Sequence, residues 1–304
     1  MTLGQLLEEG KEQLKNAGVA DFALDARYLL LAAFDLSLAS FLACRSRDVS
    51  GTPEDREREN AFRRMIARRA GRIPLQQILG VQEFMGLEFL VNEHVLIPRQ
   101  DTETLVELVL EEQKDREKSV LDLCTGSGCI AISLARLGKF RQVWALDVSE
   151  EALKVAEENG RRLLGEGAAE TGGRLLGEGE ECAGDFRLIR SDLFEGLPKG
   201  KKFDILVSNP PYIPTQVIEG LEPEVRDHEP RMALDGDGDG LKFYRLLAAG
   251  SGEYLNQGGA LYLEIGWDQS GAVEELLRQA GFEEIRTVQD MAEKDRVVRA
   301  VWEK

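Results

Sequence analysis

Four consecutive residues, Asn209-Pro210-Pro211-Tyr212, carry the most specific chemistry in the sequence. They follow an apolar run, Phe203 to Val207, that reads as a strand, so they stand where a buried strand reaches the edge of its sheet. The side-chain oxygen of Asn209 can accept one N–H and the carbonyl of Pro210 another. Pro211 disfavours the helical region for Pro210, and Pro210 does the same for Asn209, so both acceptors are held extended. Tyr212 can pack on a planar group. The set suits an amide or exocyclic amine nitrogen, whose delocalised lone pair must be turned toward an electrophile. Preorganised acceptors aimed at developing positive charge supply electrostatic help, and positioning supplies an entropic share. No neighbouring His or acid is an obvious general base, and none is required, because the alkylated nitrogen sheds its proton easily. The bland alternative is a rigid Pro-Pro turn.

A second constellation is Val120-Leu121-Asp122-Leu123-Cys124-Thr125-Gly126-Ser127-Gly128-Cys129-Ile130-Ala131, a strand, a Gly turn and a helix start. Gly126 and Gly128 let backbone approach a ligand unobstructed by Cβ. Gly126-x-Gly128-x-x-Ala131 also satisfies the dinucleotide fingerprint, and a purely structural tight turn fits as well. The next strand ends in Asp147, whose carboxylate can accept from both hydroxyls of a ribose, in a dinucleotide or in S-adenosylmethionine alike. The strand after it ends in Ser191-Asp192, where an acid can accept from an adenine amino group. That third acceptor favours S-adenosylmethionine, although each acid alone could merely cap a helix. With a sulfonium methyl as electrophile, the two constellations form one N-methyl transfer site.

Alternating elements must position them. Short, continuously apolar strands at Val120–Leu123, Val143–Leu146, Phe186–Ile189, Phe203–Val207 and Ala260–Ile265 are separated by helices such as Cys129–Leu137 and Glu150–Glu158. That pattern predicts a parallel sheet covered on both faces. Phe282–Val288 and Val297–Trp302 read as a hairpin at its edge. Residues 3 to about 72 read as helical instead, with Leu3, Leu6, Leu7 and Leu14 at helical spacing. Thr52 is the expected N-cap of an Arg-rich helix, with Pro53 in its first turn, and Gly71 and Pro74 close it. Phe84 to Val91 reads as two short strands about a Gly turn. A twelve-residue tandem duplication, Arg162-Leu163-Leu164-Gly165-Glu166-Gly167 recurring at Arg174–Gly179, reads as a loop insertion without catalytic meaning.

Composition excludes several classes. Hydrophobic residues at 43% and charged residues at 31% give a globular balance rather than a disordered one. No apolar run approaches the roughly 18 residues that span a bilayer. Met1 to Gly10 has no basic segment followed by an apolar run, so no secretory leader is expected. Cys44, Cys124, Cys129 and Cys182 form no CxxC pair and only two histidines occur, so no metal is expected and the thiols are expected reduced, in the cytoplasm. A net charge of −17 opposes binding to nucleic acid phosphates. Against that background Arg56, Arg58, Arg63, Arg64, Arg68, Arg69 and Arg72 form a basic cluster. It reads either as a solvated helix face paired with Glu57 and Glu59 or as a docking patch for an acidic protein or RNA.

With these residues in view, the chain resembles the peptide chain release factor glutamine methyltransferases, the HemK/PrmC family. The match includes Pro74-Leu75-Gln76-Gln77-Ile78-Leu79-Gly80, Leu96-Ile97-Pro98-Arg99, Asp101-Thr102-Glu103, the Gly turn, Asn209-Pro210-Pro211-Tyr212-Ile213-Pro214, Glu229-Pro230-Arg231 and Asp295-Arg296-Val297-Val298. The resemblance implies an α/β fold, a seven-stranded Rossmann-like class I S-adenosylmethionine-dependent methyltransferase sheet. It divides the chain into an N-terminal helical substrate-docking domain at 1–73, a β-hairpin linker at 74–97 and the methyltransferase domain at 98–304. It implies transfer to the side-chain amide nitrogen of the glutamine in the Gly-Gly-Gln motif of class 1 release factors. A monomer that binds no membrane and no DNA is expected. By the resemblance, Cys124, Thr125, Gly126, Ser127, Gly128, Asp147 and Leu193, with Asp192, would hold the cofactor. Asn209 would touch both ligands. Asn209, Pro210, Pro211 and Tyr212 would hold the glutamine, with Arg99 and Glu103 lining the same cleft. Two positions depart from the family: Cys124 stands where Gly is frequent, and Leu193 near where an aromatic is frequent, so packing on the adenine should differ while the mechanism should not.

Three other functions compete. Glutamine methylation of a ribosomal protein uses a similar motif. Adenine N6 methylation of nucleic acid suits the same tetrapeptide, but the acidic charge and the lack of a separate basic recognition domain oppose it, and the base would have to be flipped out. A nucleotide-binding regulator with a dead site would bind cofactor without turnover.

Overall fold

The structure, a computed structural model, describes residues 1–49, 51–165 and 185–304. Most of the tandem duplication and Cys182 lie outside the described residues. The chain forms two compact units. One comprises Met1–Gly80 and Glu222–His228, the other Val81–Leu221 and Glu229–Lys304.

The first unit is helical: α1 (Leu3–Asn16), α2 (Phe22–Phe34), α3 (Leu38–Cys44), α4 (Pro53–Ala70) and the short α5 (Leu75–Leu79). Thr2 opens α1 with a reciprocal capping box to Gln5, and Thr52 opens α4 by accepting the Asp55 N–H at 3.1 Å. The leucines at helical spacing, Leu3, Leu6, Leu7 and Leu14, are buried with Leu29, Leu30, Phe34, Phe62 and Ile66 in one core. Each such side chain contributes about 2 kcal/mol on burial. At the end of α4 the left-handed residue is Arg72, at φ 67°, and not Gly71. Its guanidinium pairs with Glu222 and Glu224. Arg69 is buried between Asp25, at 2.7 Å, and Glu224, at 2.8 Å. Burial opposes the charge on Glu224, yet hydrogen bonds from Arg72 and Arg69 hold its carboxyl down to about 2. Much of the basic cluster is thus paired within the unit: Arg58 with Glu54, and Arg63 with Glu9 and Glu59. Arg64 and Arg68 are exposed.

The second unit begins with a hairpin, β1 (Val81–Phe84) and β2 (Leu87–Leu90), turned by Met85 and Gly86, both left-handed. The helix α6 (Gln100–Glu112) follows, and then a seven-stranded sheet. Its strands are β3 (Ser119–Leu123), β4 (Gln142–Asp147), β5 (Asp185–Arg190), β6 (Phe203–Ser208), β7 (Leu255–Glu264), β8 (Glu283–Gln289) and β9 (Asp295–Trp302). The order is β5-β4-β3-β6-β7-β9-β8, parallel up to β7 and antiparallel through β9 and β8. The expected edge hairpin is present, with β9 inserted between β7 and β8. The two-residue period of each strand divides the core. Val120, Val143, Ala145, Ile205 and Val207 face α6, α7 (Cys129–Ser133) and α8 (Glu150–Leu164), together with Phe84 and Phe89 of the hairpin. Leu121, Leu123, Leu146, Leu206 and Leu263 face the helices Lys242–Tyr254 and Ser270–Ala280. Both faces are covered, which is why these strands read as unbroken apolar runs. The helix expected over 129–137 is α-helical only to Ser133 and continues as a π-helical turn, Leu134–Gly138. Among the described residues no single helix is long and apolar enough to cross a membrane.

Candidate active site

The chain runs outward from β3 to β5 and returns to β6 on the other side of β3. The order reverses between β3 and β6, and in open α/β sheets the crevice beyond the carboxyl ends of the strands at such a point takes the ligand. A cavity of about 540 Å³ lies there, within the usual range for small-molecule sites.

The turn after β3 forms one wall. Cys124, Gly126 and Gly128 have left-handed backbones, at φ 62°, 55° and 81°. A Cβ on Gly128 would sit 2.9 Å from Ile132 and 3.2 Å from Ala156, so this position requires glycine for packing as well as conformation. At Gly126 nothing lies within 4 Å of where a Cβ would be. The turn is tied down from three sides. The Thr125 N–H donates to the Leu146 carbonyl at 2.9 Å, the Thr125 hydroxyl donates to Asp122 at 2.6 Å, and the Gly126 N–H donates to Asp147 at 2.9 Å. Asp122 is fully buried beneath it, and burial pushes its carboxyl up to about 7, against the Thr125 hydrogen bond. Asn159 of α8 fastens the turn to the hairpin. Its Nδ2 donates to the carbonyls of Ser127 and Leu90 at 3.0 Å each, and its Oδ1 accepts the Leu90 N–H at 2.7 Å.

Asp147 ends β4, and its other carboxylate oxygen accepts the Ser149 N–H at 2.9 Å. Burial raises its pKa, opposed by these backbone hydrogen bonds. After β5, the Ser191 hydroxyl donates to the Leu193 carbonyl and accepts the Gly196 N–H, both at 2.7 Å. The turn leaves Asp192 exposed and Leu193 left-handed, at φ 46°.

The opposite wall follows β6. Ser208 donates to the Leu123 carbonyl at 2.6 Å and locks β6 to β3 just before Asn209. Asn209 Nδ2 donates to Thr102 Oγ1 at 3.3 Å. The loop beyond is packed on the Tyr212 backbone, where a Cβ on Gly236 would meet Tyr212 at 2.8 Å. Gln269 Nε2 donates to the Tyr212 carbonyl at 3.0 Å. The Tyr212 phenol turns toward β7, 3.4 Å from Glu264, and its burial there raises its pKa. Arg99 donates to Glu229, a buried carboxylate that also accepts the Ile97 N–H at 3.2 Å. Burial raises the Glu229 pKa despite the Arg99 charge.

The cavity thus brings together Arg99, Cys124, Thr125, Gly126, Ser127, Asp147, Asp192, Leu193, Asn209 and Pro211. Gly128, Pro210 and Tyr212 stand behind this lining. Glu103 is turned to the hairpin, where it accepts the Met85 N–H at 2.5 Å. Sequence reasoning did not single out Thr102 or Glu229 as site residues. Both lie in segments that carry the family resemblance, but a contact such as Arg99–Glu229 spans 130 positions and has no local pattern. The donor set fits S-adenosylmethionine: an acidic acceptor at the tip of β4, a second exposed acid after β5, apolar walls at Leu193 and Ile130, and a glycine turn without side-chain obstruction.

Among solved structures, a methyltransferase from Pyrococcus furiosus superposes with a TM-score of 0.52 at 16% identity, covering 78% of this chain and all of that one. Fold and site together define a class I S-adenosylmethionine-dependent methyltransferase. The family model of the PrmC N-terminal domain matches residues 5–80, and that of ribosomal protein L11 methyltransferase (PrmA) matches residues 100–228. The release factor glutamine methyltransferase of Geobacter sulfurreducens is 41% identical over 297 residues, covering 98% of this chain and 95% of that protein. That of Moorella thermoacetica is 42% identical over 298 residues, with 97% of each chain covered. The chain belongs to the release factor glutamine methyltransferase family.

Proposed function

We propose that this chain transfers a methyl group from S-adenosylmethionine to the side-chain amide nitrogen (N5) of the glutamine in the Gly-Gly-Gln motif of class 1 release factors, as a cytoplasmic enzyme. The observation that carries the reading is the placement of Asn209. It lines the cavity across from the glycine turn, and its Nδ2 is engaged by Thr102. Its Oδ1 is left to accept an N–H of a planar amide. The Pro210 carbonyl is the second acceptor, and the consecutive prolines hold it extended.

S-adenosylmethionine supplies the electrophilic methyl when bound. Asp147 accepts from the ribose hydroxyls, Asp192 from the adenine amino group, and Leu193 packs on the base. Cys124 through Gly128 hold the cofactor against the sheet. Asn209, Pro210, Pro211 and Tyr212 hold the glutamine, and Arg99 borders it. Two acceptors on one NH₂ group orient the nitrogen lone pair and stabilise the positive charge that develops there. The helical unit docks the release factor, with Arg64 and Arg68 among its contacts, and the enzyme acts as a monomer.

The test is methyl transfer from labelled S-adenosylmethionine to a purified class 1 release factor, beside a copy whose Gly-Gly-Gln glutamine is alanine. Label on the first and not the second is expected. Label on neither overturns the substrate assignment and makes a ribosomal protein the next candidate to assay.

A further inference from the structure

The backbone of Asn209-Pro210-Pro211-Tyr212 has little to anchor it. Pro210 and Pro211 have no N–H to donate, and the Pro210 carbonyl must stay free for the substrate amide. The segment is therefore fixed at its ends. Upstream, Ser208 ties it to β3 through the Leu123 carbonyl at 2.6 Å. Downstream, the tie is made to the Tyr212 carbonyl, and its donor is Gln269, 57 positions away.

Gln269 stands directly before the helix Ser270–Ala280, where a polar side chain ordinarily turns back to cap the first N–H groups. Gln269 makes no such bond. The residue is buried, and its amide reaches the other way. Nε2 donates to the Tyr212 carbonyl at 3.0 Å and lies 3.4 Å from the Gly240 carbonyl, while Oε1 accepts the Gly266 N–H at 2.9 Å. These partners leave the amide one orientation. A carbonyl only accepts and a backbone N–H only donates, so the NH₂ end faces Tyr212 and the oxygen faces Gly266.

Two glycines make room for this amide. A Cβ on Gly240, at φ 74°, would collide with the Tyr212 carbonyl oxygen and sit 2.7 Å from Gln269 Nε2. A Cβ on Gly266 would sit 2.8 Å from Gln269 Oε1. The strap that carries Gly240 is itself laced to the residue after Tyr212. The Ile213 N–H donates to the Leu234 carbonyl and the Gly236 N–H to the Ile213 carbonyl, each at 2.9 Å. The same strap gives Ala233, Asp235 and Asp237 to the cavity wall. One amide thus joins the chain beyond β7, the strap and the tetrapeptide.

We propose that Gln269 is a positioning residue for methyl transfer: its amide holds the Tyr212 carbonyl, and so fixes where Asn209 Oδ1 and the Pro210 carbonyl meet the substrate nitrogen. The inference rests on the reading that these two acceptors receive the glutamine amide. The prolines transmit the constraint, because each has its φ locked by its ring and Tyr212 cannot shift without carrying them.

The experiment measures kcat and the KM for an intact class 1 release factor, with S-adenosylmethionine affinity and stoichiometry by calorimetry, for the full chain and its Gln269→Met and Gln269→Glu variants. Both replacements match glutamine closely in length. Methionine removes every hydrogen bond of the amide. Glutamate keeps an acceptor for the Gly266 N–H and, ionised, has no proton to give Tyr212. Both variants should lower kcat about tenfold to a hundredfold, the range spanned by one lost hydrogen bond and a misplacement of about an ångström. KM and cofactor affinity should change by less than about twofold, as for an interaction that acts in the transition state, and each chain should still bind cofactor. A normal kcat in Gln269→Glu overturns the proposal, because the grip on Tyr212 would then be dispensable. So does a normal kcat in Gln269→Met. A fall in kcat matched by an equal fall in the fraction of chains that bind cofactor also overturns it, since damage to the fold would account for both. Where one variant does not fold, the other decides. If the unaltered chain transfers no methyl to the release factor, the functional reading fails first and the inference falls with it.

Discussion

The Asp147 carboxylate receives the backbone N–H of Gly126 at 2.9 Å, so the tip of β4 holds the turn that follows β3. One residue therefore shapes the glycine turn and presents an acid to the cavity. Each of its oxygens takes one backbone N–H and keeps a lone pair for a ligand hydroxyl.

Asp147→Ala should weaken S-adenosylmethionine binding roughly tenfold to a hundredfold, the range for losing hydrogen bonds to a charged acceptor. Calorimetric titration reads this directly. An unchanged Kd would remove Asp147 from the cofactor site.

Asn209→Ala should lower the transfer rate by about a hundredfold or more, because an acceptor aimed at the reacting nitrogen is lost. Cofactor affinity should fall far less. Near-normal turnover would break the proposed mechanism.

Asp122 supplies a prediction on stability. Burial raises its carboxyl from 3.8 to about 7. Between those values the folded chain keeps a proton that the unfolded chain releases, so this group's contribution to stability declines as pH rises through the window. Asp122→Asn removes the titration and keeps an acceptor for the Thr125 hydroxyl. The variant should gain in thermal midpoint relative to the unaltered chain between about pH 4 and about pH 7, and parallel melting curves would show that Asp122 is not the group responsible.

Arg64 and Arg68 are exposed on α4, and among the described residues neither has an ion-pair partner. Reversing both charges should raise the KM for intact release factor by about tenfold while leaving a short glutamine peptide unaffected, as for charges at the rim of a docking surface. Equal kinetics with the intact factor would dismiss the docking role.

Much of this site was legible because its parts are local. The glycine turn, Asp147 at a strand tip, Asp192 one strand on and the Asn-Pro-Pro-Tyr tetrapeptide each declare themselves within a few residues. The unbroken apolar runs announced the doubly covered sheet for the same reason. What escaped are relationships across the chain. Glu264 reads as an acid at the end of a strand, and only the sheet order places it 3.4 Å from the Tyr212 hydroxyl, 52 positions earlier. Gly71 closes α4 as expected, but the left-handed residue is its neighbour Arg72, whose guanidinium pairs with Glu222 and Glu224, and no local propensity foretells that. Glu103 shares a helix with Thr102, yet the hairpin turn claims its carboxylate through Met85.

The segment Glu222–His228 belongs to the helical unit, although the residues on either side of it belong to the sheet unit. The polypeptide thus passes from one unit to the other three times, and the middle passage comes shortly after Asn209. Arg69 and Arg72 are built around a carboxylate, Glu224, that reaches them from the catalytic half of the sequence. The helical part is therefore not a cassette. A cut at Gly80 would leave Arg72 without its counter-charges, Arg69 with Asp25 alone and a seven-residue strap without its seat, so any exchange of this part between relatives must carry Glu222–His228 along with it.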